Sequence, residues 1–159
     1  MVGEEIRAGL PRPDPALRRL DRFVGTWSMR GRFVGSTEED ILGEATFQWL
    51  KGGFFMQQDV HIDFAGRMLI DSREIIAYDP QTGSFPSHVY SNVSPVPLPY
   101  RWHVQGETLT ITVKYGPLDA TFHGRFEGDG SFAGGWRPNP DADPNINVAY
   151  DIRGMRKGG

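Results

Sequence analysis

Two polar side chains interrupt the apolar faces of predicted strands and are the first candidates for chemistry. Gln58 has the same parity as Val60, and Glu74 has the same parity as Ile76. Since alternate residues of a strand point to the same face of a sheet, both polar groups point into the core if their strands keep this parity.

Glu74 carries the most reactive of these groups. Burial without a partner shifts a carboxyl toward its neutral form. Beside Tyr78 or His88, such a group would serve as an acid, a base or a hydrogen-bond donor to a ligand. The alternative is that Arg73 or Arg101 neutralises the carboxylate, or that Glu74 faces water.

The segment around His88 has no clear apolar face. If its even-numbered residues point inward, His88, Tyr90 and Asn92 form a polar stripe in the core, and otherwise these three face solvent. Both arrangements stay open at this point. In the first, Glu74, His88 and Tyr90 are the candidate proton donors and acceptors of an enzyme.

The other histidines, His61, His103 and His123, alternate with large apolar residues, so we expect them to face solvent. No two of the four histidines have the spacing of a metal-binding pair, and cysteine is absent. We therefore predict no metal site, no disulfide and no cysteine nucleophile.

Large aromatic residues fall mostly on the inward parity of their strands. In a small barrel most of them pack the core, and a minority contact a ligand. The candidate ligand-binding residues are Trp49, Met56, Gln58, Glu74, Tyr78, His88, Tyr90, Tyr100, Trp102, Phe122 and Tyr150.

The elements that position these side chains follow from a change of pattern near Gly25. Asp14 as N-cap and Pro15 at the first helical position predict a short amphipathic helix. From Thr26 onward, alternation with period two and frequent turn residues predict about ten strands. Short links favour pairing between neighbours, and closure removes exposed edges. We therefore predict an all-β fold, an antiparallel up-and-down barrel with an internal cavity, closed at one end by the helix.

The sequence also predicts where the main segments begin and end. Residues 1–13 are predicted to be a flexible arm, and residues 14–159 a single barrel domain. The prolines of residues 94–99 predict a loop or an edge, because proline cannot donate to a central ladder. The last strand is predicted near residues 146–156, with Ile146 and Val148 in register with Tyr150.

The composition limits the kinds of partner that we expect the protein to bind. The 17 basic and 20 acidic residues are mixed along the chain and leave a net charge of -3, which argues against nucleic acid. No segment has the pattern of a signal peptide or a membrane span, so we expect a cytoplasmic protein. A homodimer is left open.

The helix, the tripeptide Gly25-Thr26-Trp27 and the meander with a basic final strand resemble the calycin superfamily of lipocalins, fatty-acid-binding proteins and nitrobindins. In that superfamily the tryptophan closes one barrel end near a late basic residue, and the resemblance gives this role to Arg153 or Arg156. More closely, the segments LDRFVGTW, IIAYDPQTGSF and GGWRPNP resemble a bacterial lipocalin-like family of unknown function.

The resemblance implies binding of a small, largely apolar ligand inside the barrel. The chain lacks the Arg-x-Tyr pair with which fatty-acid-binding proteins hold a carboxylate, and its last histidine, His123, comes too early for the haem ligand of nitrobindins. The alternatives are a cofactor-free isomerase, cyclase or hydratase that uses the same pocket, and a haem carrier that uses a histidine in a new position. We predict no cofactor for the binding protein or the cofactor-free enzyme.

Overall fold

A computed structural model describes residues 9–158, so the first eight residues of the predicted arm lie outside the described residues. The chain forms a 3₁₀ helix and ten antiparallel strands that close into a barrel in the order β1-β10-β9-β8-β7-β6-β5-β4-β3-β2. The elements are the helix (Pro15–Phe23), β1 (Gly25–Phe33), β2 (Ile41–Trp49), β3 (Met56–Phe64), β4 (Met68–Ile76), β5 (Phe85–Ser91), β6 (Leu98–Gln105), β7 (Thr108–Tyr115), β8 (Leu118–Phe126), β9 (Ser131–Pro138) and β10 (Tyr150–Arg156). The predicted all-β barrel is confirmed.

The helix begins where its capping residues predict. The side chain of Asp14 accepts a hydrogen bond from the backbone N–H of Ala16 at 2.9 Å, and Pro15 occupies the first turn. A proline there sacrifices no helical hydrogen bond, because the first N–H groups have no partner within a helix. Within residues 9–158, no helix is long and apolar enough to cross a membrane.

The helix closes one end of the barrel. Its apolar side buries Leu17, Leu20 and Phe23. The ring of Phe23 lies 4.9 Å from that of Phe126 and 5.5 Å from that of Trp102, measured between centroids. A short helix is stable here because tertiary packing, and not intrinsic propensity, supplies its stability.

Two glycines on neighbouring strands make room for aromatic rings inside the barrel. Gly124 of β8 is paired with Gly134 of β9. A Cβ atom at Gly124 would lie 2.6 Å from the ring of Phe122, and one at Gly134 would collide with the same ring. Phe122 stacks on Phe132 with 5.8 Å between ring centroids. The absence of side chains at these two positions therefore allows the rings to pack flat against the wall.

Two boundaries differ from the prediction. Strand β6 begins at Leu98, and Pro99 pairs with His88 inside the ladder instead of lying in a loop. Strand β10 begins only at Tyr150, while Ile146 and Val148 are exposed in the preceding loop.

The buried side chain of Asn147 accounts for the late start of β10. Its amide nitrogen donates to the carbonyl of Pro117 at 3.0 Å, and its amide oxygen accepts from the N–H of Asp119 at 2.8 Å. These hydrogen bonds fasten the segment to the β7–β8 connection. Because Asn147 points inward, its neighbours Ile146 and Val148 face solvent.

Candidate functional site

The end of the barrel opposite the helix is unevenly buried: Ile41 and Phe64 are buried there, while other inward residues are partly exposed. Antiparallel neighbours run in opposite directions, so the start of β4, the end of β5 and the start of β6 meet there. The inward residues Ile70, Val89 and Leu98 are only partly buried at this end, whereas Met56, Ile76 and the helix-facing residues are buried. We call this partly open interior the lumen.

Glu74 of β4 lies where the lumen meets the packed core, with 8% of its surface exposed. Its Oε2 atom accepts a hydrogen bond from Ser87 Oγ at 2.5 Å and another from Trp102 Nε1 at 2.7 Å. The register brings the donors together, because Ile76 pairs with Ser87 and Phe85 pairs with Trp102. One carboxyl oxygen is thus fixed by two neutral donors.

Burial controls the ionisation of this carboxyl. Removal from water raises the pKa of Glu74 to about 7, although the hydrogen bonds from Ser87 and Trp102 act in the opposite direction. Burial, together with the charge of Glu74, also raises the pKa of Tyr100 to about 12. Near neutral pH the site therefore holds a carboxyl that exchanges its proton and a phenol that keeps one.

Three further polar groups face the lumen without a protein partner. Gln58 lies opposite Glu74 in the register, and Tyr100 lies opposite Ser87. In residues 9–158 no hydrogen bond joins the side chains of Gln58, Tyr100 or Tyr150 to the protein, and no side-chain N or O atom is both fully buried and unpaired. Their polar atoms therefore reach accessible space, where a ligand or water would bind them.

The structure brings together some of the predicted site residues. Those that line the lumen or support it are Gln58, Glu74, Tyr100, Trp102, Phe122 and Tyr150. Trp49, Met56 and Tyr78 point inward near the helix. Trp49 donates to Asp21 of the helix at 2.9 Å, and the ring of Tyr78 packs 5.2 Å from that of Phe85. These three belong to the closed end.

His88 and Tyr90 are not in the lumen. Strand β5 turns its odd-numbered residues inward, so Phe85 and Ser87 are buried, while His88 is exposed and Tyr90 is 52% exposed. The even-numbered polar stripe is therefore wrong, and so is the grouping of Glu74 with His88 and Tyr90. The large buried ring of Phe85 fixes the parity of the strand.

The predicted neighbours of Glu74 are also wrong. Tyr78 and His88 do not contact its carboxyl, and neither of the predicted arginines neutralises it. Arg73 pairs with Asp59 at 2.8 Å, and Arg101 contacts Asp79 at 3.6 Å, both on the outside of the barrel.

Ser87 is the residue that the sequence analysis missed. It shares its parity with Phe85, and that signal would have placed its hydroxyl inside the barrel. A small hydroxyl residue two positions from a large aromatic residue on the inner face is a reasonable donor to a buried acid.

All four histidines, at 61, 88, 103 and 123, are exposed on the outer wall. The predicted solvent exposure of His61, His103 and His123 is confirmed. A haem in the lumen would consequently find no histidine ligand, so the donor set does not fit the haem alternative.

Trp27 and Arg156 close the helix end together. The guanidinium of Arg156 lies 4.4 Å from the centroid of the Trp27 ring. It also donates to the carbonyl oxygens of Arg22, at 2.6 Å, and Val24. Gly25 is at φ 124°, and a Cβ atom there would lie 2.8 Å from the same guanidinium. Arg153, the other candidate for this position, lies on the outer wall.

These features define a class: a ten-stranded antiparallel barrel, sealed at one end by a helix, with a buried acid beside a partly open lumen. The family model described as "Protein of unknown function (DUF1579)" matches residues 12–121, which is more than half of the chain. The chain belongs to this family. No curated protein matches it significantly.

Solved structures repeat the architecture at low sequence identity. Rv2717c from M. tuberculosis is 14% identical, with a TM-score of 0.61 over 92% of this chain and 99% of that chain. The S-type phycobiliprotein lyase CPES from Guillardia theta is 11% identical, with a TM-score of 0.59 over 98% of both chains. A de novo designed fluorescence-activating β-barrel is 14% identical, with a TM-score of 0.47 over 86% of this chain and 95% of that chain. The two natural proteins share the fold.

Proposed function

We propose that the protein binds a small, largely apolar molecule in the lumen, oriented by hydrogen bonds to Glu74, Gln58, Tyr100 and Tyr150. The observation that carries the proposal is the set of inward polar groups without protein partners beside a buried acid. Apolar walls with a few convergent polar groups are the usual form of a small-molecule site. A protein that only had to fold would gain stability from apolar residues at these positions.

The ligand class follows from the same groups. Phenol and neutral carboxyl groups donate hydrogen bonds, and the amide of Gln58 both donates and accepts. Within residues 9–158, no arginine or lysine side chain is hydrogen-bonded to Glu74, Gln58, Tyr100 or Tyr150, so a carboxylate or phosphate beside these four groups would have no paired countercharge. The preferred guest is therefore neutral and carries a carbonyl or hydroxyl group.

Fluorescence titration with Nile red, a neutral apolar dye, tests the proposal. The wild type should bind the dye, and Val89→Trp, which fills the lumen from an inward position on β5, should abolish binding. Tyr100→Phe should weaken binding several-fold, whereas Tyr90→Phe on the outer wall should not change it. Equal binding by the wild type and Val89→Trp would place the dye elsewhere and refute the proposal.

A second candidate function is proton transfer by Glu74 on a ligand in the lumen, the reaction type of a cofactor-free isomerase, cyclase or hydratase. The pKa of about 7 favours it, because an acid–base catalyst works best when its pKa lies near the working pH. Tyr100, whose phenol keeps its proton near neutral pH, takes the place of the outward His88 and Tyr90 as the nearby hydrogen-bond donor.

A base-sensitive probe separates this candidate from simple binding. In 5-nitrobenzisoxazole, removal of the C–H proton by a carboxylate breaks the N–O bond and releases a coloured phenolate. Turnover should rise with pH through about 7 and disappear in Glu74→Gln. Turnover that persists in this variant, or an unreactive probe in a dye-binding protein, would leave the protein as a binder only.

A further inference from the structure

A depression unrelated to the lumen lies on the outer wall where the first and last strands, β1 and β10, meet. It has a volume of about 670 Å³ and crosses β1, β10, β9 and β8. Its floor is β9 at the small outward residue Ala133, whereas the neighbouring Gly135 is covered by the side chains of Asp151 and Arg137. Longer side chains on the flanking strands form its walls.

The register places positive charge on both walls. One row across the strands contains Arg30, Arg153, Ala133 and Arg125 in that order. The next row contains Arg32, Asp151, Gly135 and His123. Neighbouring strands are about 4.8 Å apart, so Arg153 and Arg125 face each other across roughly 10 Å of small-residue floor.

The depression is positive in a chain that is negative overall. Five arginines and three acidic residues line it, a surplus of two positive charges, whereas the chain has a net charge of -3. Arginine stays protonated at every physiological pH, so this surplus is permanent. A local excess of one sign in a concave surface attracts ligands of the opposite sign.

Arg137 is paired with Asp151 at 2.7 Å, but the other four arginines are incompletely satisfied by the protein. Arg30, Arg32 and Arg153 converge on the single carboxylate of Glu39, at 3.7, 3.4 and 3.7 Å. Among the described residues Arg125 makes no salt bridge within 4 Å, although its charge helps to lower the pKa of Glu107. Three guanidinium groups around one carboxylate leave most of their donors free for further acceptors.

We propose that this depression binds a small anion with several negative charges, of the phosphate or diphosphate class. Guanidinium groups recognise phosphate oxygens through paired hydrogen bonds, and two facing walls of arginine would grip a diphosphate from both sides. Glu39 acts as the internal competitor that occupies three of the arginines when no anion is bound.

Calorimetric titration with inorganic pyrophosphate at about 0.15 M salt tests this assignment on the full-length protein. The wild type should bind, and Arg125→Gln or Arg153→Gln should weaken the affinity about tenfold, the usual loss for a charged hydrogen bond. Arg12→Gln removes the same charge from an exposed position away from the depression and should have less than about a twofold effect.

Two further variants test the shape of the site and the role of Glu39. Ala133→Leu fills the floor without altering the charge and should abolish binding. Glu39→Gln removes the competitor and should tighten binding several-fold. Amide signals of Ala133 and Gly135 should move on titration in the wild type.

Several results would overturn the site. These are no binding at millimolar pyrophosphate, an equal loss in Arg12→Gln and Arg125→Gln, and unchanged affinity in Ala133→Leu. Circular dichroism of each variant shows whether the barrel is intact, and Glu39→Gln keeps the test informative if Ala133→Leu fails to fold.

Discussion

The indole Nε1 of Trp102 lies 2.7 Å from Oε2 of Glu74 and donates to it inside the barrel. Trp102 is 3% exposed and also packs against Phe23 of the helix, with 5.5 Å between ring centroids. One residue therefore joins the sealed end of the barrel to the acid at the edge of the lumen. Neither partner can move without disturbing the other.

Stability should depend on pH through Glu74. Its pKa is about 7 in the folded chain and close to 4.5 in the unfolded chain. Between these values the folded chain keeps a proton that the unfolded chain has lost. The contribution of Glu74 to stability is therefore fully present below pH 4.5 and is lost as pH rises to about 7, by roughly 3 kcal/mol.

Urea unfolding of the wild type and Glu74→Gln at pH 5 and pH 8 measures this effect. The difference between the two proteins isolates Glu74 from other titrating groups. The glutamine variant should gain stability relative to the wild type on going from pH 5 to pH 8. An identical pH dependence in both proteins would contradict the burial of this acid.

Loss of the serine donor should raise the pKa of Glu74 further. The Ser87 hydroxyl stabilises the charged form of the carboxyl, so Ser87→Ala removes an effect that lowers this pKa. The carboxyl ¹³C chemical shift of Glu74 followed against pH measures the change. Ser91→Ala, on the same inner face of β5 but farther along the strand, should leave the titration unchanged, and a similar shift in both variants would argue against the hydrogen bond.

Arg156→Met should weaken the helix end of the barrel. The change removes hydrogen bonds to the carbonyls of Arg22 and Val24 and the contact with the Trp27 ring. Charged hydrogen bonds and a cation–π contact of this kind together predict a loss of about 2–3 kcal/mol in the free energy of unfolding. Arg153→Met, on the outer wall, should cost less than about 1 kcal/mol. Equal losses of unfolding free energy in Arg156→Met and Arg153→Met would mean that Arg156 has no special role in closing the helix end.

Gly134→Ala should strain the inner wall. A methyl group there would collide with the Phe122 ring and lie 2.6 Å from the carbonyl oxygen of His123. Overpacking of this kind costs about 1–3 kcal/mol, measurable as a lower midpoint of urea unfolding. Gly130→Ala is the matched control because nothing lies within 4 Å of its Cβ position. A neutral Gly134→Ala would show that Phe122 can move away freely.

The strand pattern was readable where large apolar residues alternate with charged ones. In β3 this alternation placed Gln58 on the inner face, and in β4 it made Glu74 a candidate for the inner face; the structure places both there. In β5 large residues occur at both parities, Phe85 on one and His88 and Tyr90 on the other, so the inward face was ambiguous unless the apolar ring of Phe85 was given more weight. The error at His88 and Tyr90 followed from that ambiguity.

The sequence by itself determined the approximate number of strands and the helix with its Asp14 cap, because these depend on local geometry and on a period of two. Only the tertiary structure decided that Ser87 and Trp102 bind Glu74, that Arg156 caps Trp27, and that arginines from both ends of the chain share one depression. Such neighbours depend on the register between strands far apart in the chain. That register is fixed by closure of the whole barrel, so it cannot be read from any single segment of the sequence.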